Sequence, residues 1–542
     1  MAPARSHSAN TLTSDLQLLS RRVLPRMLTQ VCRDPGSPAA GCWDRNWWHY
    51  KIRDFPSIIL QQGGYALHIA SSLPAGREIG AAFLDRLAAS SARFWNDRAR
   101  RHGAFEEYYP FEQGYPPLAF STLAVAKLAG AGVVDVEEIR PGLQVAAGQL
   151  LSRFESQAAN QQVAGTAAAA MIRKLAPDLV DEARFAGLLD RTFAMQESEG
   201  WFPEYDGPDL GYLAVTMDCL WDLHDATGDE RCRPALDKAL EFIAWFTESP
   251  PHRAGMHNSR NTDYLVPYAI ARMATESSAA GDLATRVFHR LFATADQPGH
   301  FLAAVDDRYW CHYIGHSVFR ALKVLGDSPV DPPSSDFSVS AFQLSAFQKS
   351  GHARLAGEGV HALVSARKGG IATVAWDDGS EASDFGWIVR RGGEEWVSHW
   401  WSPDWIIDLE ADHVVTKGPL VAHREHQSSP LKHMVLRVGS WILGRRLIGL
   451  LKRVLIFKKG GGDLRIDRSI RLENGALVIK DRITGLRESD EVLRAPRSSK
   501  RHVASADSHH PEDAGLSRGV SRAEKINRDG GSFVATTRYL KS

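Results

Sequence analysis

The sequence predicts a helical ring, an incomplete α/α toroid, followed by an antiparallel β-sandwich. Three observations carry that expectation. A motif recurs in the first half of the chain, hydrophobic spacing changes from helical to alternating near residue 330, and a Pro- and Ser-rich stretch lies between the two regimes. A length of 542 residues suits two large domains better than one, and 44% apolar with 24% charged residues is ordinary for chains that bury substantial cores.

The recurring motif is the most informative element. Gly103-Ala-Phe-Glu-Glu-Tyr108 is followed after five residues by Gly114-Tyr115, and Gly200-Trp-Phe-Pro-Glu-Tyr205 after five residues by Gly211-Tyr212. The copies are offset by 97 residues, and a weaker echo, Gly299-His-Phe301 followed by Tyr309-Trp-Cys-His-Tyr313, lies 99 residues further on. A period of that length suits two helical hairpins. Successive hairpins can close into a ring whose inner-helix ends line one cavity, so the repeated loops should converge on one opening. Two further segments, Asn160-Gln-Gln-Val-Ala-Gly-Thr-Ala and His257-Asn-Ser-Arg-Asn-Thr-Asp-Tyr264, set polar residues just ahead of apolar helices.

The stretch Gly326-Asp-Ser-Pro-Val-Asp-Pro-Pro-Ser-Ser335 reads as a linker, because paired prolines stop a helix and serines build no core. It sets expected domains of 1–335 and 336–542. Beyond it, segments 361–367, 371–376, 386–390, 464–472 and 476–483 alternate in hydrophobicity between Lys-Gly-Gly, Asp-Asp-Gly and Glu-Asn-Gly turn signals. An insertion at 431–459 breaks this pattern, with eight Lys or Arg and no acid. On a single helix, Leu443, Leu447, Leu450, Leu451 and Val454 share one face, while Arg445, Arg446, Lys452 and Arg453 gather on another. Such a helix packs on the sandwich with solvated charges, contacts an anionic membrane surface, or clamps an anionic glycan.

Lys plus Arg and Asp plus Glu both total 64, a balance that argues against a nucleic-acid partner. The five cysteines are scattered without a CxxC pair, which argues against a disulfide framework and a zinc ribbon. Histidines pair only at spacings such as 312/316, and two ligands do not make a metal site, so no metal and no cofactor is expected. No apolar run is long enough for a secretory signal or a membrane-spanning helix, and a cytoplasmic location is the expectation.

The loop chemistry suits sugars. Glu107 and Glu204 occupy equivalent repeat positions, and Tyr108 and Tyr205 follow them with flat rings that stack on the C–H faces of a pyranose. A hydrolase would set Glu107 and Glu204 across a glycosidic bond. A lyase or epimerase acting on a uronate needs an amide or cation to hold the carboxylate, and Tyr or His to move protons. Asn160, Tyr212, His257, Asn258 and Tyr264 supply those types. A non-catalytic glycan binder of surface-polysaccharide biosynthesis would use the aromatics alone.

The order of toroid then sandwich resembles the heparinase II/III-like and alginate-lyase-like polysaccharide lyases and the related uronyl epimerases. In those enzymes an Asn-led helix is followed about one hairpin later by an Asp-Gly-Ser-Phe-x-Glu-type loop and a Tyr-led helix. Here Asn160 leads such a segment, and Glu199-Gly-Trp-Phe-Pro-Glu204 and Gly211-Tyr212 follow, with Tyr212 lying 52 residues after Asn160. The resemblance implies Asn160 as carboxylate neutraliser and Tyr212 as proton-transfer group. Where those enzymes carry Asn-His, this chain has Asn160-Gln161, and His399 and His413 are the β-domain candidates for the imidazole. Catalytic roles are therefore expected of Asn160, Tyr212, His257, Tyr264 and His399. Substrate contacts are expected of Glu107, Tyr108, Glu204, Tyr205, Asn258 and Arg260. The expected activity is elimination or epimerisation on an anionic, uronate-containing glycan or glycoconjugate, with hydrolysis by Glu107 and Glu204 as the alternative.

Overall fold

The computed structural model describes residues 11–328, 330, 346–455, 462–498 and 519–541, apart from 104, 249, 251–254, 263, 411 and 425–427. Helices Gln62–Ser71, Tyr115–Gly130, Ala159–Leu175, Leu210–Thr227, Tyr268–Ala274 and Gly315–Asp327 form an inner ring, each packed on the next and the last on the first. Outside them run Ala81–His102, Val136–Ser152, Glu182–Phe193, Cys232–Thr247 and Ala279–Phe292, with Thr11–Leu28 against the closing helix. An inner helix has neighbours on nearly every side, so apolar and small residues dominate it, and buried charges such as Asp222 are paired with Lys127 and Arg320. Every residue of 210–223 is buried, and Gly165 leaves no room for a Cβ, which would lie 2.4 Å from the Tyr115 hydroxyl. An outer helix is one-sided: Glu182–Phe193 buries only Phe185, Leu188, Leu189 and Thr192.

The repeat motif is the connector from each outer helix to the next inner one. Gly103 and Gly200 lie at φ +57° and +99°, where a side chain is disfavoured, and turn the chain inward. Phe105 and Phe202 are buried and anchor the turn. Glu107, Tyr108 and Tyr205 then face the ring opening while Glu204 is buried, and Gly114-Tyr115 and Gly211-Tyr212 open the inner helices.

The C-terminal part has three sheets, and all described strand pairs are antiparallel. One sheet orders Val520–Asp529, Ser532–Lys541, Ala476–Thr484, Arg465–Glu473, His413–Pro419 and Ile406–Leu409. A second orders Ala346–Phe347, His352–Gly357, Val360–Ser365, Ile371–Trp376 and Glu381–Asp384. The third orders Val421–His423, Glu394–Val397, Trp387–Arg391 and Glu491–Arg494. Val364 and Val374 of the second sheet, and Trp387 and Val389 of the third, pack on Ile479 and Ile483 of the first, which makes a sandwich. Asn474-Gly475 joins paired residues Glu473 and Ala476 with both central φ angles positive, the two-residue turn the sequence signals.

The proposed boundary near 335 lies largely outside the described residues, and helix Gly315–Asp327 runs into the start of the expected linker. The single basic helix expected at 431–459 is instead two, Pro430–Leu443 and Arg445–Leu455, with 456–461 outside the described residues. Gly444, at φ +50° and ψ −133°, breaks the helix and turns the chain. The pair does not lie on the sandwich. Ser440 Oγ donates to the Pro110 carbonyl at 2.7 Å, Arg437 pairs with Asp54 and Lys452 with Glu155, so it crosses the mouth of the helical ring. The common face breaks up accordingly: Leu447 is buried, while Leu443 and Leu450 are exposed.

Candidate active site

The repeat loops converge on a cavity of about 580 Å³ at the ring opening. Glu107, Tyr108, Asn160, Tyr205, Tyr212 and Arg260 line it, six of the residues singled out from sequence. Tyr309, His312 and Tyr313, from the third echo, complete the aromatic wall, and Leu436 of the first basic helix with Arg445 and Lys452 of the second roof it.

Local backbone contacts place the central group. The loop after Phe202 docks on the start of helix Ala159–Leu175: Ala159 N–H donates to Pro203 O at 3.0 Å and Tyr205 N–H to Gln157 O at 2.6 Å. Glu204 Oε1 accepts the Asn160 backbone N–H at 2.8 Å, filling one of the unsatisfied donors of that helix end. Holding this shape puts Tyr205 and Asp206 at φ +54° and +73°, a costly conformation for non-glycine residues that clusters at functional sites. Arg260 comes from the segment between outer helix Cys232–Thr247 and inner helix Tyr268–Ala274. Its guanidinium sits 4.7 Å from the ring centroids of both Tyr205 and Tyr212, which fixes all three together.

Besides Glu204, which is buried, five sequence-singled residues stand outside the lining. His257 Nε2 lies 2.9 Å from Thr373 Oγ1, and its carbonyl accepts from Ser365 Oγ at 2.8 Å. Asn258 offers its carbonyl to Lys368 Nζ at 2.6 Å. Both therefore tie the helical ring to the second sheet and hold the loop that delivers Arg260. The Tyr264 hydroxyl lies 2.5 Å from that of Tyr313, one layer behind the cavity wall. His399 is buried in the sheet region, where burial and then the Lys368 charge push its pKa down to about 3. His413 sits on a strand beside exposed Asp412.

His312 is the residue the sequence did not single out for the site. It lies at a kink within Trp310–Ile314, where its φ of −89° and ψ of −158° are not helical, and stacks on Tyr309 with centroids 4.8 Å apart. Its nearest sequence signal was the echo Tyr309-Trp-Cys-His-Tyr313 itself.

The electrostatics are those of a dry site. Burial pushes the Tyr212 hydroxyl well above its ordinary pKa, against the pull of Arg260. Burial, with Arg308 adding to it, holds His312 down to about 3, so the imidazole is neutral. The Asn160 amide nitrogen and His312 Nε2 are buried without a hydrogen-bond partner among the described residues. Burial also lifts Glu204 to about 8, and burial plus the Glu112 charge lifts Glu107 to about 8. A carboxyl raised in the folded state stabilises fully below its unfolded pKa and loses that contribution as pH climbs toward the folded value. Melting temperature should therefore fall between about pH 5 and about pH 8, and Glu204→Gln should flatten part of that fall by several degrees. A parallel fall in the variant would show that Glu204 does not drive it.

A scan against family models finds no match for this sequence, and neither does a comparison with curated proteins. Among solved structures, the chondroitin AC lyase of Streptomyces coelicolor A3, determined with chondroitin sulphate, matches over 100% of this chain and 78% of its own, with 12% identity and a TM-score of 0.52. Heparinase III matches over 100% of this chain and 85% of its own, with 10% identity and a TM-score of 0.44. The toroid-plus-sheet architecture of this chain is thus the fold of the chondroitin AC lyase.

Proposed function

We propose that the cavity binds a uronate-containing anionic glycan and removes the proton beside its carboxylate, leading to β-elimination or epimerisation. One observation carries this reading: a buried amide nitrogen and a buried neutral imidazole nitrogen, both without a hydrogen-bond partner among the described residues, share a cavity wall with Tyr212 and Arg260. Asn160 and Arg260 neutralise the carboxylate, which makes the C5 proton more acidic. His312 accepts that proton through its neutral nitrogen. The electrons of the broken C–H bond form the C4–C5 double bond, and the C4–O bond to the departing sugar breaks. Tyr212 gives its proton to the leaving oxygen, and Arg260 beside its ring lowers the cost of the transient phenolate. In epimerisation no bond to oxygen breaks, and the proton returns to the opposite face of C5.

The chondroitin sulphate held by the structural neighbour makes it the first substrate to assay, alongside heparan sulphate and alginate. Elimination leaves a conjugated, ultraviolet-absorbing uronate, and epimerisation exchanges the C5 proton with solvent deuterium. One of these two signals is expected on at least one glycan. New reducing ends with neither signal would overturn the proposal in favour of hydrolysis at Glu107.

A further inference from the structure

We infer that the helix pair roofing the cavity is a docking surface for an anionic lipid bilayer. The outward face of helix Pro430–Leu443 carries Leu431, Met434, Val435, Val438, Trp441 and Ile442, each between 50% and 71% exposed. Their spacing of three, four, seven, ten and eleven positions from Leu431 makes one continuous stripe along the helix. The opposite face is already used, with Leu436 in the cavity lining and Ser440 bonded to Pro110. A stripe of this size left in water calls for a partner.

The charges select its chemistry. Segment 431–459 holds eight Lys or Arg and no acid, and Lys432 of the same helix and Arg446 of the next are exposed. An apolar stripe bearing a tryptophan, bordered by cations, matches the layered chemistry of a bilayer, with acyl chains beneath anionic headgroups. A second copy fits poorly. A two-fold interface would set the same cationic patch against itself, and like charges oppose such pairing. The stripe is also convex and lies on one helix, so it offers no groove to a peptide. No described helix is long and apolar enough to cross a membrane, which makes this a surface contact. Because the inner face of the same pair roofs the cavity, docking would hold the cavity one helix away from the headgroups.

The full-length protein should co-sediment with vesicles of phosphatidylcholine plus phosphatidylglycerol and much less with phosphatidylcholine alone, and added salt should weaken the association. Val435→Ser, Val438→Ser and Trp441→Ser together should reduce binding at least tenfold. Lys432→Gln with Arg446→Gln should reduce it several-fold while leaving any binding to neutral vesicles unchanged. Exposed positions should tolerate these changes, and melting curves check it. If the triple variant fails to fold, Trp441→Ser alone serves, with a smaller expected loss. Wild type left in the supernatant with anionic vesicles would overturn the inference, as would variants that pellet like wild type. A wild-type dimer that the stripe variant turns into a monomer, without vesicle binding, would assign the surface to a second copy instead.

Discussion

Replacing Tyr212 with Phe should lower turnover by roughly 10²–10⁴-fold on any uronate glycan that the wild type processes, the range typical for loss of a positioned proton donor. The melting temperature should hardly move. The ring keeps its place 4.7 Å from Arg260 and its packing at the start of helix Leu210–Thr227, and no protein group bonds the hydroxyl among the described residues. A packing role and a chemical role therefore separate: the first is preserved by Phe and the second is lost. Turnover should fall while substrate affinity, read as KM, changes little, because the hydroxyl acts on the leaving oxygen and not on the carboxylate. Tyr264→Phe makes the comparison. Its hydroxyl bonds Tyr313 one layer back, so the loss should be smaller and should come with a drop in melting temperature. Retained turnover in Tyr212→Phe would exclude Tyr212 as the proton-transfer group.

The largest stability effect is expected in the sandwich. Arg468 is fully buried, pairs with Asp384, and reaches Asp481 at 3.2 Å. Asp384 also meets Arg494 at 2.5 Å and accepts from the Tyr539 hydroxyl at 2.7 Å, while Trp387 donates to Asp481 at 2.8 Å. These residues come from all three sheets, so one network registers the sheets against each other. Burial alone would raise the Asp384 carboxyl, but Arg468 and Arg494 hold it down to about 2. Arg468→Met should cost about 3–5 kcal/mol, because it leaves Asp481 buried without its cation. Arg468→Met combined with Asp384→Asn and Asp481→Asn should recover part of that loss by removing the stranded charges. Denaturant unfolding followed by sheet circular dichroism measures both. Equal destabilisation by the single and combined variants would mean that packing volume, not charge, dominates the site.

Much of the fold could be read along the chain because its signals are local. The glycines and phenylalanines of the repeat mark where an outer helix turns into an inner one, and Asn474-Gly475 marks a hairpin whose backbone few other pairs adopt. The convergence of Glu107, Tyr108, Tyr205 and Tyr212 follows from the repeat as well, since equivalent loops of a ring face one opening. The chemistry of other residues depended on distant partners. His257 looked like a proton carrier in sequence, yet its imidazole meets Thr373, 116 positions away. His312 looked like half of a helical metal pair, and only a kink in the chain at that residue brings it to the cavity wall.

The sequence alone thus determined the repeat, the turn positions and the residue types that meet at the ring opening. All of these are set by backbone preference and hydrophobic period over a few residues. The tertiary structure decided which polar atoms end up buried without a partner. It also decided that Arg260 lies between two tyrosine rings and that the basic segment breaks at Gly444 to roof the cavity. Those outcomes depend on desolvation and on contacts between segments far apart in the chain, which no local pattern encodes.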